Sequence, residues 1–220
     1  MDQDVTDIIR KAENNLLEEG LRDNPSLADS KVDRGISILQ YAIYCRNTEA
    51  VELIQKYKKL DPDIFEAACL GDIKAVSREL KRNPEMLNKF SPDGFTLLGF
   101  ASFFGHLHLV KMLLEKGADT NIQSNNNLNV APIHSACSSS NYEIAQFLIL
   151  NGANVNARQL QGYTPLHTAA HNGNSELVKL LLDNGADPEA TTDDGKTPYS
   201  LAIEKGFKSI ADLMIRQEME

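Results

Sequence analysis

The sequence predicts an all-α protein built as an array of repeated helix–turn–helix units. Three observations carry that prediction. An apolar motif recurs around Ala42, Ala67, Ala101, Ala136, Ala169 and Ala202, at spacings of 25, 34, 35, 33 and 33 residues, and a near-constant period of this length marks a repeat architecture. Four residues after each alanine stands a small residue in five of six copies: Gly71, Gly105, Ser140, Gly173 and Gly206, with Arg46 in the first. A second apolar pattern of helical period then follows, and the complete copies end at another glycine.

The first helix of each unit is written most clearly in Thr164-Pro165-Leu166-His167-Thr168-Ala169. Ala131-Pro132-Ile133-His134-Ser135-Ala136, Thr197-Pro198-Tyr199-Ser200-Leu201-Ala202 and Thr96-Leu97-Leu98-Gly99-Phe100-Ala101 follow the same plan, and the copies at Ser37 and Pro62 are degenerate. A threonine hydroxyl accepts an orphan N–H of the first turn. Proline next to it has its φ already set and lacks an N–H that would be unpaired anyway. Glycine four residues after the alanine stops the helix, because it takes the left-handed conformation at little cost.

The second helix shows as Leu107, Leu109, Val110, Leu113 and Leu114, and again as Ile144, Ala145, Leu148 and Ile149. Leu177, Val178, Leu181 and Leu182, then Ile210, Ala211, Met214 and Ile215, continue the series. Steps of one, three and four residues describe one buried face. Gly117-Ala118-Asp119, Gly152-Ala153-Asn154 and Gly185-Ala186-Asp187 are the stops.

The stretch TPLHTAAHNGNSELVKLLLDNGADPEA, from Thr164 to Ala190, resembles the ankyrin repeat along its whole length, and the likeness extends over residues 35–215. The resemblance implies an ankyrin-repeat solenoid, with helix–turn–helix units joined by β-hairpin-like finger loops and stacked into a curve. The units are expected at 31–62, 63–90, 91–123, 124–158 and 159–191, with a C-terminal capping repeat at 192–220. Residues 1–30 are read as a degenerate capping unit, because Asn24-Pro25 precedes Gly35 by the same interval that separates Asn83-Pro84 from Gly94; a single long helix is the competing reading. Terminal units need polar outer faces, and residues 1–30 carry 8 acids against 3 bases, residues 183–220 carry 9 against 4.

Two irregularities stand out. The 25-residue interval is short by about eight residues, so Lys56 to Pro62 is too short for a full finger. The 35-residue interval is long, and its extra residues fall in Ser124 to Val130, a loop-rich tip.

Composition narrows the function. The chain has 220 residues, 22 Lys+Arg against 31 Asp+Glu and a formal charge of −9. Such a chain is repelled by phosphate backbones, so nucleic acid is not the expected ligand. No apolar run reaches the ~18 residues of a membrane span. The acidic start MDQDVTDIIRKA lacks a secretory pattern, and three scattered cysteines fit a reducing, cytoplasmic setting. No nucleophile–base set, phosphate loop or metal-ligand spacing is present, so neither catalysis, cofactor nor metal is expected. By resemblance, His134 and His167 hydrogen-bond neighbouring turns. Cys45 and Cys69 read as small apolar filler.

In the resembled family, variable positions lie at the finger tips and at the inner-helix ends, lining a concave face. Carried onto this sequence, they give Phe90, Phe95, Phe103, Phe104, Asn126, Leu128, Ser138, Ser139, Arg158, Leu160, Tyr163, His171 and Asn172 as the partner-binding surface. Earlier units add Tyr44, Cys45, Cys69 and Leu70. Phe90, Phe95, Phe103 and Phe104 occupy positions where stacking does not demand an apolar group, and grouped aromatics are typical interface anchors; burial of these rings as core, under the shortened fingers and the N-terminal cap, is the competing reading. The expected function is a non-catalytic, monomeric module that binds a protein partner as adaptor, scaffold or inhibitor. A secreted effector aimed at a host protein, and an enzyme with a groove-borne site, are the rival readings.

Overall fold

A computed structural model describes residues 4–216. Helices α1 (Val5–Arg10) and α2 (Asn14–Asp23) form the first pair. Then follow α3 (Ile38–Tyr44) with α4 (Thr48–Tyr57), α5 (Ile64–Leu70) with α6 (Ile73–Arg82), and α7 (Leu97–Phe103) with α8 (Leu107–Glu115). The series continues with α9 (Pro132–Ser138) and α10 (Tyr142–Leu150), α11 (Pro165–His171) and α12 (Ser175–Asp183), and α13 (Pro198–Glu204) and α14 (Lys208–Arg216). From α3 onward the odd-numbered helices form an inner row, each packed on the next, and their even-numbered partners lie behind them.

Side chains set the helix starts. Ser37, Thr96, Thr164 and Thr197 each accept from the backbone N–H three residues on, and Asp63 forms a reciprocal capping box with Glu66. The stops share one conformation. Gly71 has φ +73, and a Cβ there would lie 2.6 Å from the His106 ring, so glycine is required. Arg46 at φ +54 and Ser140 at φ +58 take the same left-handed turn with a side chain, at a cost of about 1 kcal/mol each. Ala12, at φ +55, separates α1 from α2 in the same way. Asn24-Pro25 and Asn83-Pro84 both open a 3₁₀ turn, Pro25–Asp29 and Pro84–Asn88, which explains the shared interval to the following glycine.

Finger loops join most units. Val32 N–H bonds Ile36 O, Ser91 N–H bonds Phe95 O, Gln159 N–H bonds Tyr163 O and Thr192 N–H bonds Lys196 O, each closing a short turn. The longer finger closes between Ser124 N–H and Val130 O. Successive fingers also pair with one another: Asn125 to Gly94 at 3.0 Å, Leu160 to Leu128 at 2.8 Å and Asp193 to Gln161 at 2.9 Å. Between α4 and α5 the chain crosses directly over residues 58–63.

At that crossing the apolar core divides. One cluster runs from Ile8 to Ile54 and a larger one from Ile64 to Met214. Lys58, only 8% exposed, ties them together: its Nζ lies 3.3 Å from Asp29 on one side and 3.3 Å from Glu66 on the other. At the C-terminal end, Tyr199 and Ile203 are exposed, whereas the equivalent Leu166 and Ala170 are fully buried under the next pair.

Candidate functional site

A groove of about 370 Å³ opens on the inner face across α7 and α9. Its lining comes from four units: Tyr44 on α3, Phe95 in a finger, Gly99, Phe100, Phe103 and Phe104 around α7, Leu128 and Val130 in the long finger, Ser135 and Ser138 on α9, and Gln159 in the next finger. None of these residues carries a formal charge.

The missing finger builds one end of it. With no finger after α4, the first finger (32–36) meets that of the third unit (91–95, the third finger), and Gly35 approaches Pro92. The third finger thereby reaches α3, where the Tyr44 hydroxyl donates to Asp93 Oδ2 and Gln40 Nε2 donates to the Tyr44 oxygen. Ser91 Oγ donates to the other carboxylate oxygen at 2.7 Å. Burial pushes the Tyr44 phenol far above its ordinary range, and the neighbouring Cys69 and Asp93 add to the effect. Tyr44 is therefore a neutral, fixed ring. It stacks on Phe104 at 6.1 Å and tilts against Phe100 at 6.3 Å.

The floor depends on one column of the repeat. In the regular units that column is His134 or His167. Each Nδ1 accepts from its own helix N-cap N–H, so each Nε2 donates to the next finger: His134 to Ala157 O and His167 to Lys196 O, both at 3.0 Å. Burial holds the His134 imidazole down at about 4 and the His167 imidazole below its usual value. Both are structural, neutral rings. In α7 the column holds Gly99, and the imidazole is replaced by bare backbone at the groove floor.

The expected surface residues divide into three groups. Phe95, Phe103, Phe104, Leu128 and Ser138 come together in the groove. Phe103 and Leu128 are 39% and 43% exposed. Phe95 and Phe104 correct the expectation that the stack makes no demand there: both are half-buried, Phe95 against Phe100 at 5.6 Å, Phe104 between Tyr44 and Phe103. A second group is engaged within the array. Asn126 accepts from Leu128 N–H and donates to Asp93 O, Ser139 donates to Ser135 O, Arg158 donates to Thr191 O, and Tyr163 tilts on His167. Phe90, Leu160, His171 and Asn172 are exposed but lie outside the groove lining. Gly99, Ser135 and Gln159 were not expected; glycine in a histidine column was the available signal.

Cys69 and Cys137 are buried in the core, and burial pushes the Cys137 thiol up to about 12, so it remains an uncharged filler. Among the described residues no group of His, Cys, Asp and Glu could hold a metal ion, and no helix is long and apolar enough to cross a membrane.

The chain matches the family model for ankyrin repeats in three copies, over residues 9–124, 64–159 and 133–220. It is 36% identical over 107 residues to the rat ankyrin repeat and SAM domain-containing protein 6, covering 49% of this chain and 12% of that protein. It is 35% identical over 92 residues to the mouse protein phosphatase 1 regulatory subunit 27, covering 42% of this chain and 58% of that protein. A shorter stretch of 56 residues is 41% identical to the NAD-capped RNA hydrolase NUDT12 of Macaca fascicularis, 26% of this chain and 12% of that protein. Each match spans less than two thirds of the relative's own length. With repeats matched from residue 9 to residue 220, the chain belongs to the ankyrin-repeat family, whose repeats are protein-interaction modules.

Proposed function

We propose that the protein is a non-catalytic adaptor or regulatory module that binds a protein partner in the groove between the Phe103–Phe104 wall and the long finger. The observation that supports this most is the grouping of Phe103, Leu128, Phe104 and Tyr44 around a cleft without a formal charge, in a chain with 53 charged residues (22 basic and 31 acidic). Exposed apolar residues that cluster are interface material, whereas scattered ones are ordinary. A relative named as a phosphatase regulatory subunit fits a role exerted through another protein. The interior cysteines and histidines are held neutral by burial, which leaves them to packing.

The test is co-purification from the cells that make the protein, with Phe103→Glu and Leu128→Glu beside Leu150→Glu on the far face, where Leu150 is 74% exposed. The two groove variants lose the bound protein and Leu150→Glu keeps it. Equal recovery with all three variants rejects the groove as the binding surface.

A further inference from the structure

Resting on that reading of the groove, we propose that it recognises an extended, uncharged stretch of its partner, roughly six residues long, with one large apolar side chain seated between Phe103–Phe104 and Leu128–Val130. Three features support this occupant over a helix or a charged tail.

The first is size. The groove offers about 370 Å³, and nine of its eleven lining residues come from the adjacent α7 and α9 units. It admits one or two large side chains. Two units at ~10 Å each are crossed by about six extended residues at ~3.3 Å per residue.

The second is charge. The eleven lining residues include no acid and no base. The Asp93 carboxylate, bonded to the lining residue Tyr44, already accepts from Tyr44, Ser91 and Gln40. A basic or acidic side chain entering here would lose its hydration without gaining a partner, which costs several kcal/mol.

The third is unused hydrogen-bonding capacity. Ser138 and Gln159 line the groove, and neither side chain bonds within the described residues. Their neighbours Ser139 and Asn126 are both engaged. An amide and a hydroxyl at the far end of an apolar slot suit the backbone N–H and C=O groups of an extended strand, which a helix would already have satisfied internally. Tyr44 closes the opposite end with its hydroxyl turned away to Asp93.

The experiment is selection of a random linear dodecapeptide phage library on the immobilised full chain, followed by fluorescence-anisotropy titration of the best synthetic peptide. The expected clones share one Leu, Ile, Met or Phe with uncharged neighbours on both sides. Replacing that residue by alanine, or Phe103→Glu or Leu128→Glu in the protein, weakens binding at least tenfold. Gln159→Ala, with unchanged circular dichroism and melting, weakens it three- to tenfold. The proposal is overturned by a consensus of acidic or basic residues, by two apolar anchors at helical spacing, by clones indifferent to Phe103→Glu, or by failure of any clone to enrich. The outcomes separate from the broader reading: loss of the cellular partner by Phe103→Glu, with no such peptide consensus, rejects the extended occupant and keeps the groove. Retention of that partner rejects the groove itself.

Discussion

The two apolar cores of this molecule are joined to their neighbours by different chemistry. From α7 to α13, neighbouring units are fastened by neutral bonds of two kinds, from asparagine and from histidine. Asn121 and Asn156 each accept a backbone N–H from the next unit and donate to a carbonyl there, at 2.8–2.9 Å. His134 and His167 add a buried bond to the following finger. From α1 to α5 that set is absent. Gln40 and Glu66 hold the place three residues after the N-cap that histidine holds in the regular units, and the seam is held by Lys58 between two carboxylates and by Tyr44 with Asp93. One stacking geometry thus tolerates two kinds of fastening. The groove lies where the kinds meet, because the shortened segment brings the third finger onto α3 and Gly99 removes an imidazole.

The seam is where the comparison breaks most readily. Lys58→Met leaves the Asp29 and Glu66 carboxylates without their counter-charge, and Glu66 is 3% exposed. Breaking a buried pair in this way costs about 3–5 kcal/mol. Urea unfolding of this variant shows an early transition confined to α1–α4, whereas Leu166→Ala lowers the stability of the larger core by about 2–5 kcal/mol.

Acid separates the regions in the opposite sense. His134 titrates near 4 in the folded chain against 6.5 ordinarily, and His167 is lowered too, in both cases chiefly by burial. The folded state therefore binds fewer protons than the unfolded one between those values. Stability from these rings is complete above pH 6.5 and declines as the pH falls toward 4, by about 3 kcal/mol for His134. Asp29 is raised by burial, but bonds from the Lys59 backbone and the Lys58 side chain outweigh this and hold it below its ordinary 3.8. Its contribution is intact above 3.8 and is lost only below. Hydrogen exchange compared at pH 7.5 and 5 accordingly shows α9–α13 loosening before the Lys58 seam. Equal loosening would refute the difference.

The aromatic walls give the smallest effects. Phe104→Ala removes a ring stacked on Tyr44 and lowers stability by about 1–2 kcal/mol, whereas Phe103→Ala costs under ~1 kcal/mol. Thermal melts of the two single variants measure the contrast. A loss above ~3 kcal/mol for Phe103→Ala would place that ring in the core.

The helices were legible because their signals are local: Thr164-Pro165 starts one and Gly173 stops it, whatever surrounds them. Phe103 and Leu128 were legible as well, through positions the repeat leaves unconstrained. What sequence did not reveal depends on distance. Tyr44 reaches Phe104 across α5, and the neutral Gln159 joins Gly99 only once fingers of different length are stacked. Likewise, Asn126 and Arg158 occupy variable tip positions, yet their side chains are taken up by neighbouring fingers.

Photo-cross-linking in the cells that make the protein addresses the groove most directly. With a benzophenone in place of the Phe103 side chain, a partner seated in the groove gives a covalent adduct to one protein, and no adduct from the same group placed at Leu150. Adducts from Leu150 alone, or equally from both positions, would contradict it.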